Sequence, residues 1–167
     1  MVKLNLISLI HAKVGQQETI TLELDTLKID DLRLDYLRGD LQLTRVADGV
    51  LAKGNLETSV ETECVRCLET FFEPVVIELE DVIGLPGADV TVERPVCMSK
   101  DGWADLSPLI RECAWLGLPI NPICAPDCRG LCPQCGGNLN RGECTCETVE
   151  TLDPRWEALR SLLNEKA

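Results

Sequence analysis

Residues 124–146, CAPDCRGLCPQCGGNLNRGECTC, hold six of the ten cysteines of this 167-residue chain and decide how its C-terminal part folds. Within this stretch, Gly136 follows Cys132-Pro-Gln-Cys135. A two-residue gap with a glycine after it lets a tight turn aim both sulfurs at one ion. The stretch therefore predicts a metal knuckle, which is a turn that presents two cysteine ligands to one metal ion.

The other cysteines extend this pattern along the chain. Cys64-Val-Arg-Cys67 has the same two-residue gap, and only Cys97 and Cys113 have no close partner. Four pairs supply the ligands of two tetrahedral thiolate sites, which predicts two zinc ions. The predicted metal ligands are Cys64, Cys67, Cys124, Cys128, Cys132, Cys135, Cys144 and Cys146.

The division of these pairs between two ions has two solutions. Because Cys128 and Cys132 are only four residues apart, one ion could collect Cys124, Cys128, Cys132 and Cys135. The favoured division gives the first site Cys64, Cys67, Cys124 and Cys128, and the second site Cys132, Cys135, Cys144 and Cys146. In this division every cysteine pair has a second pair with which it completes four ligands for one ion. The insert of the second site, GGNLNRGE, is also rich in turn-forming residues. With every ligand supplied by the protein, both sites are predicted to be structural.

Disulfides and an iron-sulfur centre are the alternatives to zinc. The N-terminus, MVKLNLISLIHAKVG, lacks an unbroken apolar run followed by a cleavage site, and no segment approaches the roughly 20 apolar residues that span a bilayer. A cytoplasmic location, where thiols stay reduced, is therefore predicted. The cysteine gaps also differ from the two-two-three spacing of bacterial ferredoxins. A thioredoxin-like role needs a cysteine at a helix N-terminus, whereas Cys64 follows a predicted strand and Cys132 follows a glycine loop.

Composition excludes several function classes. The chain has 28 acidic and 16 basic side chains, a net charge of -12, and this disfavours tight binding to bare nucleic acid. A basic protein is the better partner. His11 is the only histidine, and neither a phosphate-binding glycine loop nor a hydrolase motif is present, so we predict no enzymatic activity and no small-molecule substrate. Arg66, Arg129 and Arg141 lie in or beside the cysteine loops, where they can offset thiolate charge or contact a partner.

Hydrophobic patterning predicts an α+β fold with an antiparallel sheet of N-terminal strands and hairpins. Asp48-Gly49 predicts a hairpin turn, and the strand after it leads to Cys64, with Gly54 as a possible bulge. Alternating apolar residues after Cys67 predict the return strand, so Cys64 and Cys67 are expected at the tip of a hairpin. Residues 27–36 stay ambiguous between loop and short strand.

Ser107-Pro108 predicts the start of a central helix with Ser107 as its cap, and Asp153-Pro154 predicts that of a C-terminal helix. The buried face of the central helix is predicted to carry Leu106, Leu109, Ile110, Cys113, Leu116 and Leu118.

The predicted organisation is a β-rich body with the following helix over residues 1–118, and a zinc-ribbon-like loop with the C-terminal helix over residues 119–167. These two parts are expected to form one integrated domain.

The cysteine motifs also carry a family resemblance. The chain resembles the YceD family, the large ribosomal RNA subunit accumulation proteins of bacteria and plastids. The matching segments are Cys64-x-Arg66-Cys67-Leu68, Leu118-Pro119, Pro122-x-Cys124-x-x-x-Cys128-x-Gly130-Leu131-Cys132-Pro133-x-Cys135-Gly136-x-Asn138-Leu139-Asn140, Cys144-x-Cys146 and Asp153-Pro154-Arg155. The resemblance implies a cytoplasmic, non-enzymatic factor for 23S rRNA and for assembly of the large ribosomal subunit.

Together with the acidic charge, the resemblance predicts action on rRNA through a basic large-subunit ribosomal protein or a pre-50S particle, without a membrane partner. The rival hypothesis is a thiol redox or iron-sulfur electron-transfer protein. A structural adaptor without a ribosomal role is the third possibility.

Overall fold

The structure is a computed structural model that describes residues 1–89, 96–142 and 144–146. The chain divides into two compact units, Met1–Cys128 and Arg129–Ala167. The predicted domain organisation, with its boundary between residues 118 and 119, stays a prediction. The predicted C-terminal helix after Asp153-Pro154 lies outside the described residues.

The described residues of the first unit form a five-stranded antiparallel sheet, a two-stranded antiparallel pair and two helices. Its strands are β1 (Lys3–Asn5), β2 (Gln17–Leu24), β3 (Leu27–Ile29), β4 (Leu32–Val46), β5 (Gly49–Glu63), β6 (Thr70–Gly84) and β7 (Trp103–Asp105), and its helices are α1 (Ile7–Ile10) and α2 (Ser107–Gly117). The order in the large sheet is β2-β4-β5-β6, with β3 paired to β4, and β1 pairs with β7. The predicted α+β class is confirmed.

The ambiguous stretch forms β3 and the first part of β4. Asp30, with φ 51°, turns the chain between the two strands. Leu32, Leu34 and Leu37 are all buried, but a β-bulge lies between Leu34 and Leu37. The extra residue changes the alternation of inward and outward side chains, so the period of two breaks where this strand enters the core.

Aliphatic side chains from β4, β5 and β6 contribute half of the residues in the buried core cluster. Leu41, Leu43, Leu56, Ile77 and Leu79 are among its largest fully buried side chains. Helix α2 packs along β6 with its own apolar face. Sheet and helix therefore share a single apolar core that needs no metal ion.

Two predicted details of α2 differ in the structure. The Ser107 hydroxyl does not cap its own helix but accepts a hydrogen bond from the backbone N–H of Val2 at 2.8 Å, which ties the N-terminal strand to the helix start. Leu116, expected on the buried face, is exposed. Gly117 supplies the close contact instead, since a Cβ there would lie 2.6 Å from Cγ1 of Val75, and Leu116 lies one helical step away from it.

Glycines lie at the turn between β4 and β5 and at a close approach of strands within the sheet. Val46 pairs with Gly49, so the predicted hairpin is present but its two turn residues are Ala47 and Asp48. Gly54, predicted as a bulge, is paired in register with both neighbouring strands, and a Cβ on it would collide with the carbonyl oxygen of Asp40. The glycine is required because the strands approach closely there.

Among the described residues, no helix is long and apolar enough to cross a membrane.

Candidate metal centres

The first knuckle, Cys64-Val65-Arg66-Cys67-Leu68, is the tip of the hairpin formed by β5 and β6. The two strands pair without interruption from Gly49 and Gly84 to Glu63 and Thr70. Two backbone hydrogen bonds then close the turn, from Cys64 N–H to the Glu69 carbonyl and from Leu68 N–H to the Cys64 carbonyl, both 2.9 Å long. Leu68 has φ 59°, a left-handed conformation that the turn demands.

The loop after α2 returns to this knuckle. The backbone N–H of Val65 donates to the carbonyl of Pro122 at 3.0 Å. The guanidinium of Arg66 donates to the carbonyl of Cys128 at 3.1 Å. Within the loop, Cys128 N–H donates to the Ala125 carbonyl at 3.1 Å. These bonds bring two cysteines of the loop to the end of the hairpin.

The first cluster, Cys64, Cys67, Cys124 and Cys128, has all four sulfurs within 4.8 Å of one another. The sulfurs of Cys64 and Cys128 are 3.8 Å apart and those of Cys67 and Cys124 are 3.7 Å apart. Three of the four cysteines are buried, and Phe71 and Ile123 pack against them. The cluster is a small apolar core of its own with sulfur at its centre.

The second knuckle, Cys132-Pro133-Gln134-Cys135-Gly136, repeats the geometry of the first inside the other unit. Gly136 N–H donates to the Cys132 carbonyl at 2.9 Å, the counterpart of the bond from Leu68, and Gly136 has φ 73°. The N–H groups of Gln134 and Gly137 point at the sulfurs of Cys132 and Cys135, both at 3.4 Å. The turn thus stabilises thiolates with backbone donors.

The second cluster, Cys132, Cys135, Cys144 and Cys146, likewise has four sulfurs within 4.8 Å. The sulfurs of Cys135 and Cys144 are 3.7 Å apart. Buried Asn138 lies between the pairs and accepts a hydrogen bond on its side-chain oxygen from the N–H of Asn140 at 2.9 Å. This cluster is more open than the first, because only Cys132 among its four cysteines is buried.

The sulfur spacing fits one tetrahedral ion in each cluster. Zinc-sulfur bonds of about 2.3 Å place the corners of a tetrahedron about 3.8 Å apart, close to the sulfur distances in both clusters. Disulfide sulfurs would be about 2.05 Å apart, and all ten cysteines are free. Four thiolates suit zinc or iron, and their number leaves no open position for a substrate.

The acidity of the thiols differs within each cluster. Hydrogen bonds from the backbone N–H of Cys124, and then from those of Cys67 and Arg66, lower the pKa of Cys64 to about 6. Backbone N–H groups of Cys135 and Gln134 lower the pKa of Cys132 to about 6. Burial and the neighbouring sulfurs raise the pKa of Cys124 to about 12. The pKa of Cys146 in the second cluster is also raised to about 12, chiefly by hydrogen bonding to Cys135. Each cluster therefore combines an acidic thiol with one that stays protonated at neutral pH, where a bound cation would favour its thiolate.

All eight predicted ligands lie in these two clusters, in the favoured division, and their metal binding stays a prediction. Cys97 and Cys113 lie apart from them. The backbone of Cys97 forms an isolated parallel β-bridge with that of Gly84 at the end of β6. Burial and the charges of Asp81 and Glu112 raise the pKa of the Cys113 thiol. His11 is exposed on the end of α1.

Two features of the first knuckle were not predicted from the sequence. Arg66 was expected either to offset thiolate charge or to contact a partner, and its guanidinium also donates to the backbone carbonyls of Pro126 and Cys128 in the facing loop. The left-handed backbone of Leu68 was not predicted, although the position of Gly136 after the second cysteine of its own knuckle is the signal that could have identified it.

Comparisons with known proteins identify relatives of this chain. The family model described as large ribosomal RNA subunit accumulation protein YceD matches residues 52–163. An uncharacterized protein of Mycobacterium tuberculosis is 34% identical over 131 residues, covering 77% of this chain and 62% of the relative.

Two plant proteins are also similar. Both are described as large ribosomal RNA subunit accumulation protein YCED homolog 1, chloroplastic. The Arabidopsis thaliana protein is 43% identical over 126 residues, covering 58% of this chain and 39% of its own length. The Zea mays protein is 33% identical over 81 residues, covering 47% and 24%. The chain thus spans less than two thirds of the length of these relatives, and no solved structure matches it.

Proposed function

The chain belongs to the YceD family, and we propose that it is a non-enzymatic factor for accumulation of 23S rRNA and biogenesis of the large ribosomal subunit. The observation that carries this proposal is the match to the family model over residues 52–163, which include both cysteine clusters. The family and the plant relatives are named for accumulation of ribosomal RNA and not for a catalysed reaction.

Each cluster is proposed to hold one structural zinc ion. The sulfur distances of 3.7 and 3.8 Å and the backbone donors to sulfur support this assignment. Zinc bound by four thiolates would close each loop without activating a substrate. Structural zinc can contribute on the order of 10 kcal/mol to folding, by analogy with zinc-finger peptides.

The factor is proposed to act on rRNA through a basic large-subunit ribosomal protein or a pre-50S particle. A net charge of -12 repels the phosphate backbone, whereas it attracts the basic proteins that neutralise rRNA. The cytoplasm is the proposed location, since the ribosome is assembled there and the thiols stay reduced.

A thiol redox or iron-sulfur protein is the second candidate, and the pKa of about 6 for Cys64 and Cys132 favours it. The complete burial of Cys64 argues against it, because a redox thiol must meet its partner. Metal analysis and the visible spectrum of purified protein separate the two. Two colourless zinc ions per chain support the first proposal, and an absorbing iron centre supports the second.

Depletion in cells tests the biological role. We expect the ratio of mature 23S to 16S rRNA to fall, and tagged protein to sediment with precursors of the large subunit. An unchanged ratio after depletion would contradict the proposal. Tight binding of naked 23S rRNA at physiological salt, without any ribosomal protein, would contradict the indirect mode of action.

A further inference from the structure

Leu68 occupies a backbone conformation for which glycine is the ordinary choice. Its φ of 59° and its hydrogen bond to the Cys64 carbonyl match those of Gly136 in the second knuckle. A side chain in the left-handed region costs free energy that glycine avoids, and such strain concentrates at functional sites. The chain accepts a leucine at one knuckle where it has a glycine at the other.

Packing does not explain this leucine. Its side chain is 61% exposed, and Val65 on the same turn is 50% exposed, whereas the knuckle buries Cys64 and Cys67 beneath them. The backbone N–H of Val65 donates a hydrogen bond to the carbonyl of Pro122. Ile120, two residues before Pro122, is 95% exposed. Two apolar side chains therefore project from a turn that burial and hydrogen bonds hold rigidly.

The charges beside this turn are mostly negative. Exposed Glu63 precedes the first cysteine of the knuckle, and exposed Asp127 precedes Cys128 in the facing loop. Arg66 keeps its positive charge while it donates to backbone carbonyls of that loop. Residues 63–69 and 122–128 together still carry three carboxylates, with Glu69 as the third, against this one guanidinium. An apolar contact with an acidic rim is complementary to a cationic polypeptide that carries an apolar side chain, while it repels a nucleic-acid backbone.

We propose that the first knuckle tip, Val65 and Leu68, is the docking surface for a basic protein segment that inserts an apolar side chain between acidic neighbours. The inference rests on the proposed function and names the part of the molecule that meets the basic partner. The rigid turn presents the two side chains without the entropy loss of ordering a loop.

Binding of the full metal-loaded chain to a defined probe tests this surface. The probe is the RNA-free protein fraction of purified large ribosomal subunits, and naked 23S rRNA is tested in parallel. Leu68→Gly suits the turn, and Val65→Ser removes the second apolar side chain. Leu116→Ser is the matched control, because Leu116 is 80% exposed on α2 in ordinary helical backbone.

The expected result separates binding from folding. Leu68→Gly should keep its metal content and thermal midpoint while retention of the probe falls about tenfold, the loss of one moderate anchor. Adding Val65→Ser should lower retention further, and Leu116→Ser should leave it unchanged. The proposal is overturned if Leu68→Gly binds like the wild type, if it loses metal or stability, or if Leu116→Ser alone abolishes retention.

Two outcomes distinguish failure of this inference from failure of the proposed function. If the wild type retains ribosomal proteins and all variants retain them equally, only the docking surface is wrong. If the wild type retains none, both the basic partner and the surface are wrong. Retention of naked 23S rRNA that depends on Leu68 would replace the protein partner with RNA and overturn the inference.

Discussion

The two cysteine clusters have the same local geometry but join very different lengths of chain. In the first cluster the close sulfur pairs are separated by 64 and 57 residues, whereas Cys135 and Cys144 in the second are separated by nine. The entropy of loop closure grows with the logarithm of loop length, so closing the first costs about 1 to 2 kcal/mol more in the unfolded chain. Four cysteines therefore bring the sheet hairpin together with a distant loop in the first cluster, and four others close a local loop in the second.

Burial increases the contrast. Three sulfurs of the first cluster are buried, with Phe71 and Ile123 packed against them, while the second cluster buries only Cys132. A knuckle motif thus predicts the coordination, but the consequence of losing the metal depends on what the ligands connect.

The largest effect is expected from removing one buried ligand of the first cluster. Cys128→Ser should lower the stability of the first unit by about 3 kcal/mol or more, because the link between the hairpin and the loop is lost together with the metal energy. Cys132→Ser should release one metal ion and leave the sheet unchanged, since each set of ligands lies within one unit. Metal content and amide hydrogen exchange of β5 and β6 measure both; equal loss of sheet protection in the two variants would contradict the comparison.

Chelation should separate the clusters in time. We expect the second cluster to lose its metal several times faster, because Cys135 is exposed and Cys64 is completely buried. A chelating dye should report two phases, and Cys132→Ser should remove the fast one. A single phase in the wild type would show that burial does not control metal release.

Acidification should release metal from both clusters in the same pH range. A lowered thiol pKa favours the folded, ionised form above the ordinary pKa of 9.0, and this benefit is lost as pH falls through the folded value of about 6 for Cys64 and Cys132. Metal should therefore be retained at neutral pH and lost below about pH 6, as protons compete for thiolate.

Proton release checks the same reasoning at neutral pH. Loading metal should expel protons, because the pKa of Cys124 and that of Cys146 are raised to about 12, the latter chiefly by hydrogen bonding to Cys135. A pH indicator in weak buffer measures the release. Metal loading without any proton release would contradict these pKa directions.

Exchanging the residue types at Leu68 and Gly136, which follow the two knuckles, should change the free energy of unfolding by unequal amounts. Gly136→Leu should cost about 1 kcal/mol, since the new side chain meets no neighbour but adopts a left-handed backbone. Leu68→Gly should change stability little, because relief of strain offsets the gain in unfolded-state entropy. Denaturant unfolding of the metal-loaded variants measures both, and a large loss for Leu68→Gly would show that leucine stabilises the turn.

The smallest effect is expected at Arg66. Arg66→Met keeps the aliphatic stem and removes the hydrogen bonds to the carbonyls of Cys128 and Pro126, which should cost about 1 kcal/mol or less. Thermal unfolding should shift slightly while metal content stays at the wild-type value. Loss of metal from the first cluster in this variant would contradict the prediction and show that Arg66 is needed to hold the facing loop in place.

Much of the fold was predictable because apolar residues alternate with the period of a strand. Long β5 and its return strand β6 were identified from this alternation, and Ser107-Pro108 marked the start of α2. The stretch from Leu27 to Tyr36 was not, since the bulge in β4 breaks the period between two buried leucines. Leu116 was misplaced because the tight approach of Gly117 to Val75 turns the helix face away from it.

The sequence by itself identified the eight paired cysteines and the two knuckle turns, because a two-residue gap between cysteines constrains the chain locally. Only the tertiary structure decided that Cys64 and Cys67 meet Cys124 and Cys128, since that closure depends on where β5, β6 and α2 leave the chain. It also decided that Leu68 stands exposed in a left-handed turn. Local spacing fixes which atoms can share an ion, but the packing of distant elements determines which of them come within reach.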